Sequence, residues 1–227
     1  MAALADRFRL DPATVARLEA LANLIITEPL APTTVRDPRG VVRDHLADSL
    51  VALELQELRS AHEVADLGSG AGIPGLPLAI ALPQARFHLV ESNGRKCRFI
   101  AQAIEAAGVT NAAVVQSRAE AWSDGRERLD LVTARAIGPL AVVAEYAAPL
   151  LRVGGTLVAW RGRRDLEAEA EAGRAAEVLG LEPLAPIQVR PFPEAEHRHL
   201  HLLSKVRETP ARFPRRPGLA AKRPLGV

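Results

Sequence analysis

Apolar residues recur at helical spacing through residues 1–60, then give way to short apolar runs that alternate with helical stretches. Asp11-Pro12 supplies an N-cap and a first-turn proline. Val15, Leu18, Leu21, Ala22 and Ile25 then repeat as one face of a helix, which Pro29 and Pro32 break. Asp37-Pro38 starts a second helix, with Val42, Leu46, Leu50 and Leu53 on one face. Val64–Leu67 reads as a short buried strand that runs into a glycine-rich turn and a helix over about 74–82. A strand at 86–90, a helix at 94–107, and strands at 112–116 and 129–134 follow. A helix at 139–151 and the turn Arg152-Val153-Gly154-Gly155 lead into a strand at 156–160. A charged helix at 165–179 and strands near 187–190 and 198–205 complete the pattern. Strands alternating with helices predict a parallel, doubly wound sheet. The expected organisation is a helical extension over 1–60, an α/β domain over 61–206 and a tail over 207–227.

At 227 residues the chain is near the usual domain size of roughly 100–200. Its 48% hydrophobic content suffices for a sizeable core. No apolar run approaches the roughly 18–20 residues of a membrane span. The first ten residues carry Asp6, Arg7 and Arg9 rather than an apolar signal core, so a cytoplasmic location is expected. The single cysteine, Cys97, excludes an internal disulfide and a multi-thiolate metal site. The net charge of +2 hides an asymmetry: seven of the 29 basic residues, but only one acid, lie from Lys205 onward. Among them are Arg215, Arg216, Lys222 and Arg223, which are candidates for neutralising nucleic-acid phosphates. A solvated tail, or a strap stiffened by Pro214, Pro217 and Pro224, is the alternative.

The loop Asp66-Leu67-Gly68-Ser69-Gly70-Ala71-Gly72-Ile73-Pro74-Gly75 occupies the place where such sheets bind cofactors. Its glycines permit a sharp turn and close approach of a ligand, and the following helix N-terminus offers free N–H groups. A dinucleotide fingerprint requires G-x-G-x-x-G, but the third position is Ile73. The G-x-G-x-G pattern preceded by Asp66 has the form of a methyltransferase loop, which disfavours an NAD-dependent oxidoreductase. Asp66 is a candidate for orienting the methionine part of S-adenosylmethionine, or alternatively a cap on the loop. Glu91, at the end of the second strand, is spaced to bond ribose hydroxyls, or else caps the next helix. Ser117-Arg118-Ala119-Glu120 is positioned to border an adenine. Arg135 ends a strand beside the cleft and needs a partner, in the ligand or in an acid such as Glu120.

Taken together, Arg43–Leu50, Val64–Ile80, Ser117–Glu120, Ala134–Leu140 and Phe213–Gly218 with Lys222–Leu225 resemble the small-subunit ribosomal RNA guanine-N7 methyltransferases, the glucose-inhibited division protein B family. The resemblance spans nearly the whole chain. It implies a Rossmann-like S-adenosylmethionine-dependent fold with an N-terminal helical extension, acting on N7 of one guanine in 16S rRNA near the decoding site. It places Gly68 and Ile73 against the cofactor, Ala119 and Glu120 along its adenosine, and Arg135 in the same pocket, with Gly70 in the same loop. Two departures stand out. Ala31-Pro32-Thr33 replaces an Asn-Leu-Thr segment, removing a polar anchor, and Arg161-Gly162 replaces a lysine-glycine pair.

N7 of guanine carries a free lone pair. No proton must leave before attack, so none of the six histidines is assigned as a general base. Positioning of the reacting atoms carries the chemistry instead. His197, His199 and His201 share one face of a strand without an acid or cysteine to complete a metal set, so no metal is expected. Trp122, Trp160 and Cys97 read as packing residues. A monomer is expected. The competing functions are methylation of another nucleic acid or a protein, and RNA binding without catalysis.

Overall fold

The computed structural model describes residues 1–226. Its eight-stranded sheet has the order β3-β2-β1-β4-β5-β8-β6, and β7 pairs with β8 off this path. The strands are β1 Glu63–Leu67, β2 Arg86–Glu91, β3 Ala112–Gln116, β4 Leu129–Arg135, β5 Leu151–Arg161, β6 Leu181–Pro183, β7 Ile187–Val189 and β8 Arg198–Lys205. β1 to β5 are mutually parallel where they pair, and β8 runs antiparallel to β5, β6 and β7. The order reverses between β1 and β4, which creates the crevice at the carboxyl edge where α/β sheets take ligands.

The helices are α1 Ala2–Phe8, α2 Pro12–Thr27, α3 Pro38–Gly40, α4 Asp48–Leu50, α5 Gln56–Arg59, α6 Gly75–Ala81, α7 Gly94–Ala106, α8 Leu140–Ala147, α9 Leu166–Leu179 and α10 Leu219–Lys222. Asp11, Asp37, Asn93 and Asp165 cap α2, α3, α7 and α9 through their side-chain oxygens. One apolar cluster joins Leu18, Leu21, Ile25, Leu46 and Leu50 to α6, α7 and one face of the sheet. A second joins α8, α9 and Phe213 of the tail to the opposite face. The strands alternate accordingly: Val64 and Leu131 serve the first cluster, and Ala65, Val132 and Ala134 the second. The N-terminal helices are thus one wall of the core, and they bring polar residues to the sheet's carboxyl edge.

Four local features differ from expectation. The second N-terminal helix is not uniform: Val41–Ala47 is π-helical, between α3 and α4. Arg152–Gly155 lies inside β5 instead of forming a turn, because the β4 register jumps from Leu129↔Leu151 to Leu131↔Thr156 and the surplus residues bulge outward. That length of strand leaves α8 ending at Ala147 rather than near residue 151. The edge strand β6 was not anticipated, since its proline and three-residue length obscure the alternation.

Candidate functional site

The glycine loop lies between β1 and α6 at the crevice. Gly68 has φ 65°, and a Cβ there would meet Ile137 Cγ2 at 2.3 Å, so only glycine fits. Gly70 has φ 60°, but a Cβ there would meet nothing closer than Gly68 O at 3.7 Å. Its Cα therefore faces open space, as a cradle for a ligand requires.

Asp66 is fully buried. Its carboxylate accepts from Ser69 Oγ at 2.5 Å, Thr133 Oγ1 at 2.9 Å and Gly75 N–H at 3.2 Å. Burial pushes its pKa up to about 6, against the pull of these hydrogen bonds. Asp66 thus ties the two ends of the glycine loop together, which is the loop-capping arrangement, and leaves the loop backbone as its route to a ligand. Ile73 is likewise 6% exposed and packs in the first apolar cluster, beneath the loop.

Glu91 ends β2 with its carboxylate accepting from Gly70 N–H at 3.2 Å and Asn93 N–H at 2.8 Å. It lines a cleft of about 190 Å³ with Gly68, Ala119, Glu120, Ile137 and Tyr146. Sequence reading missed Ile137 and Tyr146, which carry no polar signal at a recognisable spacing. Small-molecule sites usually hold about 300–1,000 Å³. This cleft is smaller than that, and the open side of Gly70 offers further room along the loop. Glu120 also accepts from Gly218 N–H at 2.9 Å, which joins the tail to the cleft wall.

Arg135 is not paired with Glu120. Its Nη1 donates to Asp48 Oδ2 at 2.7 Å and to Asp44 O at 2.8 Å, and its Nη2 lies 3.4 Å from His45 Nδ1. It lines a second cleft of about 470 Å³ with His45, Asp48, Trp160, Arg163 and Arg198. Consecutive residues at the end of β4 border the two clefts: Ala136, with φ 58°, lines the second, and Ile137, which packs against Gly68, lines the first. Burial, with the nearby Arg135 guanidinium, holds the His45 imidazole below its ordinary pKa and favours the uncharged ring. Its Nε2 bonds Thr33 Oγ1 at 2.9 Å, so Thr33 supplies a polar anchor that the Ala31-Pro32-Thr33 departure had seemed to remove. Trp160 Nε1 donates to Asp48 O at 2.7 Å, which makes it a brace in the core. Arg161 Nη1 donates to Gly138 O at 2.8 Å.

His197, just before β8, and His199 and His201 within it are separately engaged. His197 lies 3.1 Å from Arg163 Nη2, His199 Nδ1 donates to Gly162 O at 2.9 Å, and His201 is buried 3.9 Å from Glu169. Cys97 is buried, with Sγ 3.2 Å from Glu91 O. Trp122 packs against His88 at 5.3 Å between ring centroids. Among the described residues no group of three or more His, Cys, Asp or Glu is arranged to hold a metal, and no helix is long and apolar enough to cross a membrane. A larger cavity of about 870 Å³ lies between α1 and residues 190–194, walled by Met1, Leu4, Val42 and Pro191. It lacks the strand-end glycines and acids, so volume alone does not mark the site.

The basic tail divides. Lys205 is buried in β8, donating to Ala148 O at 2.5 Å and to Thr209 Oγ1, and burial lowers its pKa to about 8. Arg215 forms a two-pronged ion pair with buried Glu145 of α8, and its Nη2 donates to Arg223 O at 2.8 Å. Arg216, Lys222 and Arg223 expose their side chains. Phe213 and Ala220 are buried, so the tail is a strap against α8 that presents Arg216, Lys222 and Arg223 outward, with Arg207 and Arg212 also exposed.

The fold matches solved methyltransferases: a S-adenosylmethionine-dependent methyltransferase from Aquifex aeolicus superposes with a TM-score of 0.57 at 17% identity, over 73% of this chain and 93% of that one. In sequence, ribosomal RNA small subunit methyltransferase G of Rubrobacter xylanophilus is 46% identical over 84% of this chain and 75% of its own. The protein of the same name from Synechococcus elongatus is 38% identical over 95% and 92%. The family model described as rRNA small subunit methyltransferase G matches residues 17–200, which span the glycine loop, Arg135 and β5. This chain belongs to the small-subunit ribosomal RNA methyltransferase G family.

Proposed function

We propose that this protein transfers a methyl group from S-adenosylmethionine to N7 of one guanine in 16S rRNA near the decoding site, as a cytoplasmic monomer. The observation that carries the reading is that two clefts border consecutive residues, Ala136 and Ile137, at the end of β4. The first is lined by Gly68, the strand-end acid Glu91 and Glu120, and the second by Arg135, Arg161, Arg163 and Arg198.

S-adenosylmethionine supplies an electrophilic methyl group on a sulfonium. In this reading Glu91 bonds the ribose hydroxyls and Ala119 and Tyr146 flank the adenine, which the shared lining of one cleft by these three residues supports. Gly68 and Gly70 let the loop backbone close on the methionine part, while Asp66 holds the loop ends from below. The guanine enters the second cleft, turned out of any stack. N7 carries a free lone pair, so with bound S-adenosylmethionine as the methyl donor no residue of this chain would have to act as a base. His45 and Asp48 fix Arg135 in the cleft wall. Such alignment is worth roughly 7–11 kcal/mol of barrier. Arg163 and Arg198 at the cleft rim, with Arg216, Lys222 and Arg223 on the tail, hold phosphates. Arg215 contributes by docking the tail instead.

Incubating the protein with methyl-labelled S-adenosylmethionine and small-subunit RNA or particles, then digesting to nucleosides, tests the reading. N7-methylguanosine is expected. Label on another atom or base, or on protein, would redirect it, and RNA binding without label would make the chain a non-catalytic module.

A further inference from the structure

Asp48 carries an unmet hydrogen-bonding capacity in the arginine-lined cleft. The residue is 4% exposed. Its Oδ2 is held by Arg135, whereas its Oδ1 accepts no hydrogen bond from any described residue. Arg198 Nε forms an ion pair with that oxygen at 3.3 Å but is not aligned to donate a hydrogen bond, and it makes no other with any described residue. A buried carboxylate oxygen left without a donor is costly, and native structures seldom retain one without cause. Asp48 also follows directly on the π-helical stretch, a distortion found mostly at functional sites. Its backbone is pinned by Trp160 Nε1, so its position in the cleft wall is held from behind.

We propose that Asp48 is the residue that selects guanine, by accepting hydrogen bonds from N1–H and the 2-amino group of the base. The inference rests on the guanine-N7 reading above and adds to it the source of base selectivity.

A phosphate cannot satisfy this oxygen, because a carboxylate repels it. The missing partner must be a donor. Guanine presents two adjacent N–H donors on its Watson–Crick edge, and N7 lies on the other side of the base, so a base held there keeps N7 free. Adenine presents an acceptor at N1, which the carboxylate repels. Uracil offers one N–H between two carbonyl oxygens, and cytosine an amino group beside an acceptor nitrogen. Only guanine among the four places a pair of donors against a carboxylate. Arg198, 41% exposed along its side chain, can turn from Asp48 toward the RNA backbone as the base enters.

The test is single-turnover methylation of small-subunit RNA carrying guanosine or inosine at the methylated position. Inosine keeps N7 and N1–H but lacks the 2-amino group. Hydrogen bonds to charged groups correspond to about 10- to 100-fold in rate, so the wild-type protein should prefer guanosine by that factor. Asp48→Asn should slow guanosine transfer and bring the ratio toward that of the intrinsic reactivities, with S-adenosylhomocysteine affinity and melting checked alongside. A wild-type ratio near one overturns the proposal. So does an Asp48→Asn variant that slows both substrates equally and keeps the ratio, since that is the signature of a brace for Arg135. If Asp48→Asn does not fold, the wild-type ratio decides. Absence of N7-methylguanosine from the wild-type product would instead overturn the guanine-N7 reading itself.

Discussion

Replacing Arg215 with alanine separates the two roles open to the tail. Glu145 is 1% exposed along its side chain, and Arg215 is 20% exposed. Arg215 Nε donates to Glu145 Oε1 at 2.6 Å, its Nη2 donates to Oε2, and the same Nη2 holds Arg223 O at 2.8 Å. The substitution leaves a buried carboxylate without its cation, and breaking such a pair costs about 3–5 kcal/mol. For a chain of this length each kcal/mol shifts the melting temperature by about 2–4 °C. A fall of about 6–20 °C is therefore expected in a thermal melt. Cofactor binding should weaken with it, because Gly218 of the same strap bonds Glu120 at the cleft. A double substitution, Glu145→Leu with Arg215→Met, should recover much of the loss, since well-packed apolar residues replace buried pairs at little cost. Melting within about 2 °C of wild type, with a salt dependence of RNA binding reduced by about one unit, would refute this reasoning and return Arg215 to the phosphate contacts.

Further outcomes follow from the same contacts. Alanine at both Arg216 and Lys222, whose side chains are exposed, should leave the melt nearly unchanged and reduce the salt slope of RNA binding by about two units; an unchanged slope would place the RNA elsewhere. Gly70→Val should weaken S-adenosylhomocysteine binding at least about tenfold by calorimetry, because valine is strained at φ 60° by about 1–2 kcal/mol and projects into the cradle. Unchanged affinity would remove the loop from the site. Asp66 has a folded pKa of about 6 against an ordinary 3.8, so its protonated form is the one the fold favours. Its contribution is fully present below about pH 3.8 and is lost as pH rises through 6, a span of roughly 3 kcal/mol. Asp66→Asn should flatten the denaturant-midpoint profile between pH 4 and 6, and an unaltered slope would assign that dependence to other groups.

The architecture was legible where pattern and chemistry agreed. Alternating apolar runs located β1 to β4, and Asp11, Asp37 and Asp165 marked helix starts because capping is local. The bulge in β5 and the strand β6 were not legible, since glycine and proline signal a turn unless a neighbouring strand claims the segment. Glu91 and Gly68 could be placed from spacing along one βαβ unit. Asp66 and Ile73 were correctly located in the loop, but which way each side chain points depends on the face of β1 and the packing of α6. Arg135 was visible as a cation in need of a partner, yet Asp48 lies 87 residues away in the chain and only the tertiary fold joins them. The same holds for Arg215 and Glu145, which are 70 residues apart, so a residue that reads as a free tail cation becomes a half-buried strut.

The most direct test of the central claim is a map of methylated guanines in small-subunit rRNA from cells lacking this protein. Loss of one N7-methylguanosine near the decoding site, restored by the wild-type chain but not by Gly70→Val, is the expected result. An unchanged methylation map in the deficient cells would contradict it.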